Sequence, residues 1–430
     1  MATQHEIYPT VYVRKSVSVF PKSLQPTKIL NLSNLDRQCP LLMYLVFFYK
    51  PTFAYQNLSL DSVFSSLKSG LEETLSVWFP AAGRLSLNPS DGKLNIMCNN
   101  KGAILVEAVT QVKISELGDL SQYNEFFENL VYKPAFTGNF SEMPLLVAQV
   151  TKFACGGFSI GIGTSHSLFD GPATYDFLSA WASNSAIMKR KGVTELQKPV
   201  HERGRMTVDN SVAVKWPVAK AAAIDHLYQL IRNAMIGSSQ IDWKLGGQNP
   251  SGTGNLNYVL KTFHLSGVMI ENLKRKVLGE RRGNFSCSSF ELVAAHLWKA
   301  RTKAFGLRKE TMLGELEELS HESIVDRIKE AKNSITNGYV NAYIQALDGP
   351  QGSLPPLKEL TLVSDWTRMP FHKVDLLCGE AAYASPLASP IPQVAYFMQN
   401  PIDSRGIDLR IGLFPQILDA FSYYFLNNLQ

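Results

Sequence analysis

PLLVAQVTKFACGGFSIGIGTSHSLFDGP, residues 144–172, decides how the chain around it folds. Two apolar runs hinge at Gly156-Gly157, the pattern of two strands joined as a hairpin. The second run delivers the chain into SHSLFDGP, and ATYDFLSAWASNSAIMK then resumes as an amphipathic helix with Pro172 near its start. The loop between strand and helix is edged by Gly163 and Gly171, which permit close backbone approach. It carries His166 four residues ahead of Asp170. A neutral imidazole there could take a proton from a hydroxyl or an amine, because its pKa lies near working pH. The oxygen or nitrogen so activated could attack an acyl carbonyl directly, with no covalent enzyme intermediate. Asp170 could orient the imidazole, or hold the turn by pairing with a distant basic residue. Taken alone, the stretch also fits a satisfied core histidine.

Other chemistry is disfavoured by context. Gly157-Phe-Ser-Ile-Gly161 matches the G-x-S-x-G nucleophile elbow, but Ser159 sits mid-strand rather than at a strand-to-helix turn. HExxH is absent, and His166 with Asp170 supplies only two metal ligands, so no metal site is expected. No P-loop and no GxGxxG after a strand occurs. GGQNPSGTGN, residues 246–255, lacks the lysine of a phosphate cradle and reads as a surface loop.

Working outward, TVYVRKSVSVFP (10–21) alternates as a strand, and LDSVFSSLKSGLEETLSVWF (60–79) has helical spacing broken by Pro80 and Gly83. KLNIMCNNKGAILVEAV (93–109) reads as two strands joined at Asn99-Asn100. KRKGVTELQKPVHERGR (189–205) is basic, polar and irregular, and marks an interdomain linker. Beyond it come helical matter, the strand YVLKTFHL (258–265) and the helix GVMIENLKRKVLG (267–279). SCSSFELVAAHLWKARTKA (286–304) is an apolar helix behind a serine-rich cap. GELEELSHESIVDRIKEAKNS (314–334) reads as a charged amphipathic helix with a solvated face, and ELTLVSDW and GIDLRIGLF as strands.

The chain has 430 residues, beyond the size at which one core keeps growing, so two domains of roughly 200 residues each are expected. Their division is residues 1–188, a linker over 189–220, and 221–430. Charged residues are 18%, below the ~25% of an average soluble domain, which argues against disorder. The net charge of +5, without a dense basic run, gives nucleic-acid binding little support and is compatible with an anionic small molecule. Five cysteines (Cys39, Cys98, Cys155, Cys287, Cys378) show no pairing pattern and read as free thiols in a reducing compartment. The first residues lack an apolar signal region, and no run of 18 apolar residues occurs, so a cytoplasmic protein without a membrane span is expected. The sequons at Asn57 and Asn284 are then unused.

Four landmarks occur in order: VWFPAAGRLS (77–86), SHSLFDG (165–171), SSFELVAAHLWKAR (288–301) and LVSDWTRMPFHKVDLLCGE (362–380). Together they resemble the plant BAHD, or HxxxD-type, acyl-CoA-dependent acyltransferases, over essentially the whole chain. The resemblance implies an α/β fold of two chloramphenicol-acetyltransferase-like domains. Each would be a mixed β-sheet flanked by helices, with a channel between the two. It implies acyl-CoA as co-substrate rather than a resident cofactor, a small-molecule alcohol or amine as acceptor, and a monomer. His166 matches the family's general base, and Asp170 the motif aspartate, which in the family typically serves structure. Ser364 and Trp366 match the family's TSW segment as candidate donors to the tetrahedral oxyanion; Trp366 also reads as a packed core tryptophan. Lys274, Arg275 and Lys276 lie in a helix near the CoA phosphates in relatives, and read equally as surface residues.

The family's DFGWG signature stands here as Asp375-Leu376-Leu377-Cys378-Gly379, with only Asp375 and Gly379 retained. In relatives that loop shapes the CoA pocket, so CoA affinity or domain geometry is what the change touches. The departure opens an alternative reading, a non-catalytic acyltransferase-like partner of very-long-chain fatty-acid elongation and cuticular wax synthesis. The full His166 stretch favours the enzyme.

Overall fold

The computed structural model describes residues 10–52, 58–135, 139–185, 198–203, 258–278, 286–306, 318–347, 361–377, 379–387 and 394–427. The 246–255 loop, the helical matter after 220 and all but residues 198–203 of the 189–220 linker lie outside them. The chain separates into two units, one of residues 1–207 with 370–388, the other of residues 208–369 with 389–430. In chain order the first unit has β1 (Val11–Val19), β2 (Lys28–Leu30), β3 (Leu42–Tyr49), α1 (Leu60–Val77), β4 (Arg84–Leu87), β5 (Leu94–Cys98), β6 (Ala103–Thr110), β7 (Leu146–Lys152), β8 (Phe158–Ser165) and α2 (Gly171–Asn184). The second unit follows with β9 (Val259–Leu265), α3 (Gly267–Leu278), α4 (Ser289–Phe305), α5 (His321–Asn333), α6 (Asn337–Ala346) and β10 (Leu362–Trp366). The chain returns to the first unit for β11 (Tyr383–Pro386), and ends in the second with β12 (Val394–Gln399), β13 (Ile407–Leu413) and α7 (Pro415–Leu426).

The first unit is built on a mixed sheet in the order β1-β6-β7-β8-β3-β11, in which β6 and β7 are parallel and the other neighbours antiparallel. The expected hairpin is there: β7 and β8 pair from Leu146↔Thr164 to Lys152↔Phe158, turning at Gly156 with φ 83°. All eight residues of β8 are buried, Ser159 included. That is why the strand reads as an apolar run rather than an alternation. Gly161 is where another segment presses in. A Cβ there would lie 2.0 Å from the Leu130 carbonyl oxygen.

The 93–109 stretch does form two strands, but in different sheets. β5 pairs with β2 and β4 in a small antiparallel sheet, while β6 enters the large one. Positive φ at Asn100 (54°) and Gly102 (79°) turns the chain between them. The FPAAGR landmark closes this corner. Ala81 and Ala82 are fully buried, a Cβ on Gly83 would lie 2.6 Å from the Met97 carbonyl, and Arg84 donates 2.7 Å bonds to the carbonyls of Gly83 and Gly102. Burial lowers the Arg84 guanidinium to about 10, and those carbonyls bond it with no carboxylate partner among the described residues.

The sequence division at 220/221 assigns everything after it to a C-terminal domain. The segment Pro370–Ala388 departs from that division, because β11 hydrogen-bonds to β3 from Tyr383↔Phe48 to Pro386↔Leu45. No local pattern announces so remote a pairing.

The second unit holds a mixed sheet in the order β10-β12-β13-β9, with β10 parallel to β12. Its core gathers Leu292, Leu297, Phe397, Leu409, Phe421 and Phe425 from α4, β12, β13 and α7. The Ser288 cap on α4 is a capping box: its hydroxyl accepts the Glu291 amide at 3.2 Å, while Glu291 accepts the Ser288 amide at 2.9 Å. Residues 314–317 of the charged helix expected over 314–334 lie outside the described residues; α5 begins at His321, where Ser320 Oγ takes the Ser323 amide. It is not solvated all round. Ile324, Val325 and Ile328 bury one stripe.

Candidate active site

β8 ends at Ser165 and runs straight into a pinned turn. The Ser165 amide donates to Leu145 O at 2.8 Å and the His166 amide to Leu41 O at 2.9 Å, so the chain is held from the β7 side and the β3 side at once. Leu168 and Phe169 both donate to Ser165 O at 3.0 Å, which closes the turn. Ser165, Ser167 and Phe169 are buried, whereas His166 and Asp170 are exposed. Phe169 anchors the turn from below, stacked on Trp78 at 6.0 Å and edge-on to Phe177 at 5.2 Å. A Cβ on Gly163 would lie 2.6 Å from the Tyr44 ring, so glycine there is demanded by packing. The His166 ring makes no hydrogen bond or ion pair among the described residues. It is an accessible imidazole on a rigid mount, and the core-histidine reading does not describe it.

Asp170 does not touch that ring. It is the N-cap of α2: its carboxylate accepts the Ala173 amide at 2.8 Å, and its carbonyl accepts the amide and hydroxyl of Thr174 at 2.9 and 2.7 Å. Pro172 occupies the first turn, where no amide proton is missed. The carboxylate forms no ion pair with a distant base among the described residues. Its charge, after partial burial, helps hold the Asp176 carboxyl above its usual range.

Ser364 and Trp366 sit two residues apart on β10, half-buried, and meet each other. The indole Nε1–H donates to Ser364 Oγ at 3.0 Å, and the indole packs edge-on against Tyr396 at 4.9 Å. Two residues apart on a strand means one face, which is why the pair is contiguous. Asp365, on the other face, accepts the amide and hydroxyl of Thr367.

Asp375 and Gly379 are also brought together. The Asp375 carboxylate accepts the Gly379 amide and closes the loop, while Leu376 and Leu377 are buried beneath it. Cys378 lies outside the described residues. The loop belongs to the same unit as His166, tied to β3 by Tyr49 Oη donating to Val374 O at 3.0 Å and the Ala382 amide donating to Phe48 O at 2.7 Å. These anchors were not foreseen, since a tyrosine ending an apolar strand carries no mark of a partner 325 residues away.

Lys274, Arg275 and Lys276 are not gathered. Consecutive helix positions point about 100° apart. The charge of Lys274 acts on Cys287 at the start of α4, Arg275 is exposed and bonds Asn272 at 2.6 Å, and Lys276 lines a cavity toward α4 and α5. Among the described residues no group of three His, Cys, Asp or Glu could hold a metal, and no helix is long and apolar enough to cross a membrane.

A model of the transferase family matches residues 10–313. The chain belongs to that family, the BAHD acyltransferases. It is 51% identical to brassinosteroid-related acyltransferase 1 of Arabidopsis thaliana over 461 aligned positions, covering 96% of this chain and 97% of that protein. As a BAHD acyltransferase it has the expected two-domain chloramphenicol-acetyltransferase-like α/β fold. Vinorine synthase matches with a TM-score of 0.68 at 19% identity, covering 97% of this chain and 98% of its own. TRI101 of F. graminearum, complexed with ethyl coenzyme A, matches with a TM-score of 0.62 at 11% identity, covering 92% and 96%. The accessory-protein reading gains nothing from these relatives; the chain is an acyltransferase.

Proposed function

We propose that this BAHD acyltransferase moves an acyl group from a CoA thioester to a hydroxyl of a steroid of the brassinosteroid type, with His166 as general base. The observation that carries the chemistry is the exposed His166 ring, without a hydrogen-bond or ion-pair partner among the described residues, at the end of a strand buried along its whole length. The acceptor class rests on the 51% identity to a brassinosteroid-related acyltransferase, and CoA as co-substrate on the TRI101 complex.

In this reading the imidazole takes the hydroxyl proton as the oxygen attacks the thioester carbonyl carbon. The tetrahedral intermediate then collapses, the carbon–sulfur bond breaks, and the imidazolium returns the proton to the departing CoA thiolate. No covalent enzyme intermediate forms. Ser364 and Trp366 are the candidate oxyanion donors. Because the indole N–H is already given to Ser364 Oγ, the Ser364 hydroxyl proton is the donor it leaves for the oxyanion, polarised from behind by Trp366. Asp170 serves structure as a helix cap. Asp375 and Gly379 shape a loop toward CoA binding, and Lys274 to Lys276, spread around a helix, offer at most one side chain each to a given phosphate.

The test is release of free CoA thiol from a panel of acyl-CoAs with hydroxylated steroids, phenolics and fatty alcohols. His166→Ala should lower kcat by about 10²–10⁴-fold with the melting temperature unchanged. Equal activity in wild type and His166→Ala would remove the general base. Transfer to phenolics but not to steroids would replace the acceptor while leaving the chemistry.

A further inference from the structure

We propose that His201 is a positioning residue for the acyl transfer: through Trp78 and Phe169 it sets the turn that carries His166. The 189–205 stretch reads as an irregular linker, yet its described residues alternate. Lys198, Val200 and Glu202 are exposed, while Pro199, His201 and Arg203 are partly buried, as on one side of an extended segment. Two side chains on that side fasten it to the first unit. Arg203 Nε donates to Asp36 Oδ2 at 3.3 Å, and Arg203 Nη1 to the His201 carbonyl at 2.9 Å. Asp36 Oδ2 is itself fixed by the amide and hydroxyl of Ser33, at 2.8 and 2.9 Å. His201 Nε2 lies 3.1 Å from the Val77 carbonyl and must donate to it. Val77 is the last residue of α1, where carbonyls run short of intrahelical donors, and the imidazole supplies one. Burial holds His201 below its ordinary range against the pull of the Val77 bond, with Arg203 and Lys28 adding to it. The ring is therefore a neutral donor at working pH.

From that anchor the His166 turn is two aromatic contacts away. The His201 ring stands edge-on to Phe79 at 4.8 Å and to Trp78 at 6.3 Å. Trp78 stacks on Phe169 at 6.0 Å, and both meet Phe177 edge-on, at 5.5 and 5.2 Å. Phe169 and Phe177 are buried, so the cluster cannot rearrange without moving the backbone to which Phe169 belongs. The Phe169 amide closes the turn on Ser165 O at 3.0 Å, one residue before His166. Removing the His201 edge releases one side of Trp78, and the slack passes to Phe169 and the turn. A general base moved by a fraction of an ångström loses rate, while binding made by other groups is kept.

This role rests on His166 as general base, so the experiment reads the turn separately from the chemistry. In the full chain, kcat and KM are measured by CoA thiol release, and the His166 ring is followed by the NMR signal of its Cε1–H. His201→Ala should lower kcat about tenfold, hold KM for both substrates within about twofold, and shift the His166 resonance. His201→Phe keeps an aromatic edge against Phe79 and Trp78 and should recover most of kcat. Ser288→Ala, which removes a helix cap in the second unit, supplies a destabilised protein whose kcat and His166 signal should match wild type. If His201→Ala folds poorly, Arg203→Gln frees the same segment by its other anchor and should show both changes. A kcat no lower than that of Ser288→Ala, or an unmoved His166 resonance, overturns the proposal. A shifted resonance in a protein whose activity survives His166→Ala would keep the positioning of the turn and remove the general base instead.

Discussion

His166 and Asp170 are four residues apart in sequence, yet the structure gives them unconnected jobs. The histidine ring is exposed and unengaged among the described residues, while the aspartate is spent on the first turn of α2. A cap and an orienting group respond differently to substitution. Asp170→Ala should cost about 0.5–2 kcal/mol of stability, whereas Asp170→Asn or Asp170→Ser, which keep a capping oxygen, should melt close to wild type. With the cap kept, kcat should also be kept. A kcat that collapses in Asp170→Asn at unchanged melting temperature would instead make the carboxylate charge part of the chemistry. The spacing itself was legible, because a turn and its cap are local events read from neighbouring letters. The exposure of His166 was not. It depends on Leu41 and Leu145 pinning the turn from two other strands.

Pairs of elements are set by contacts that single-element patterns only half reveal. α4 and α5 meet at His296 and His321, whose rings stack at 5.4 Å, and both imidazoles are held below their ordinary range, burial being the first cause in each. The unfolded chain therefore binds protons that the folded chain refuses. Stability from this pair is complete above about pH 6.5, the unfolded histidine value, and falls as pH drops from there toward the folded His321 value near 4. Urea midpoints measured across that window should fall less steeply for His321→Gln than for wild type; parallel slopes would show that the stacked rings are not the source. The caps at Ser288 and Ser320 are written in the sequence as serine followed by acid or serine three residues on. The register of one helix on the other is not, because the face a helix buries depends on which neighbour arrives. Lys274, Arg275 and Lys276 show the same limit: adjacent letters suggested one basic site, and helix geometry sends them to different surroundings.

Over the whole molecule, the chain crosses from the second unit back into the first for residues 370–388 before finishing in the second. Tyr49 Oη on Val374 O is one of the bonds that holds this return. Tyr49→Phe removes one of two donors to Val374 O, the Leu376 amide at 3.2 Å remaining, and should cost about 0.5–1.5 kcal/mol. It should also speed hydrogen exchange at the Ala381 and Ala382 amides more than at the centre of β8; uniform acceleration would mean the bond does not act locally. By itself the sequence determined the strands and helices, the strand–turn–helix that mounts His166, and, through four ordered landmarks, the transferase family, because each of these is encoded in residues within a turn or two of one another. Only the tertiary structure decided that the Asp375 loop sits in the same unit as the histidine, that Ser364 is engaged by Trp366, and that His201 of the linker packs against Trp78. Those are pairings between segments far apart in the chain, where the decisive energy is burial and hydrogen bonding against a partner that no local pattern names.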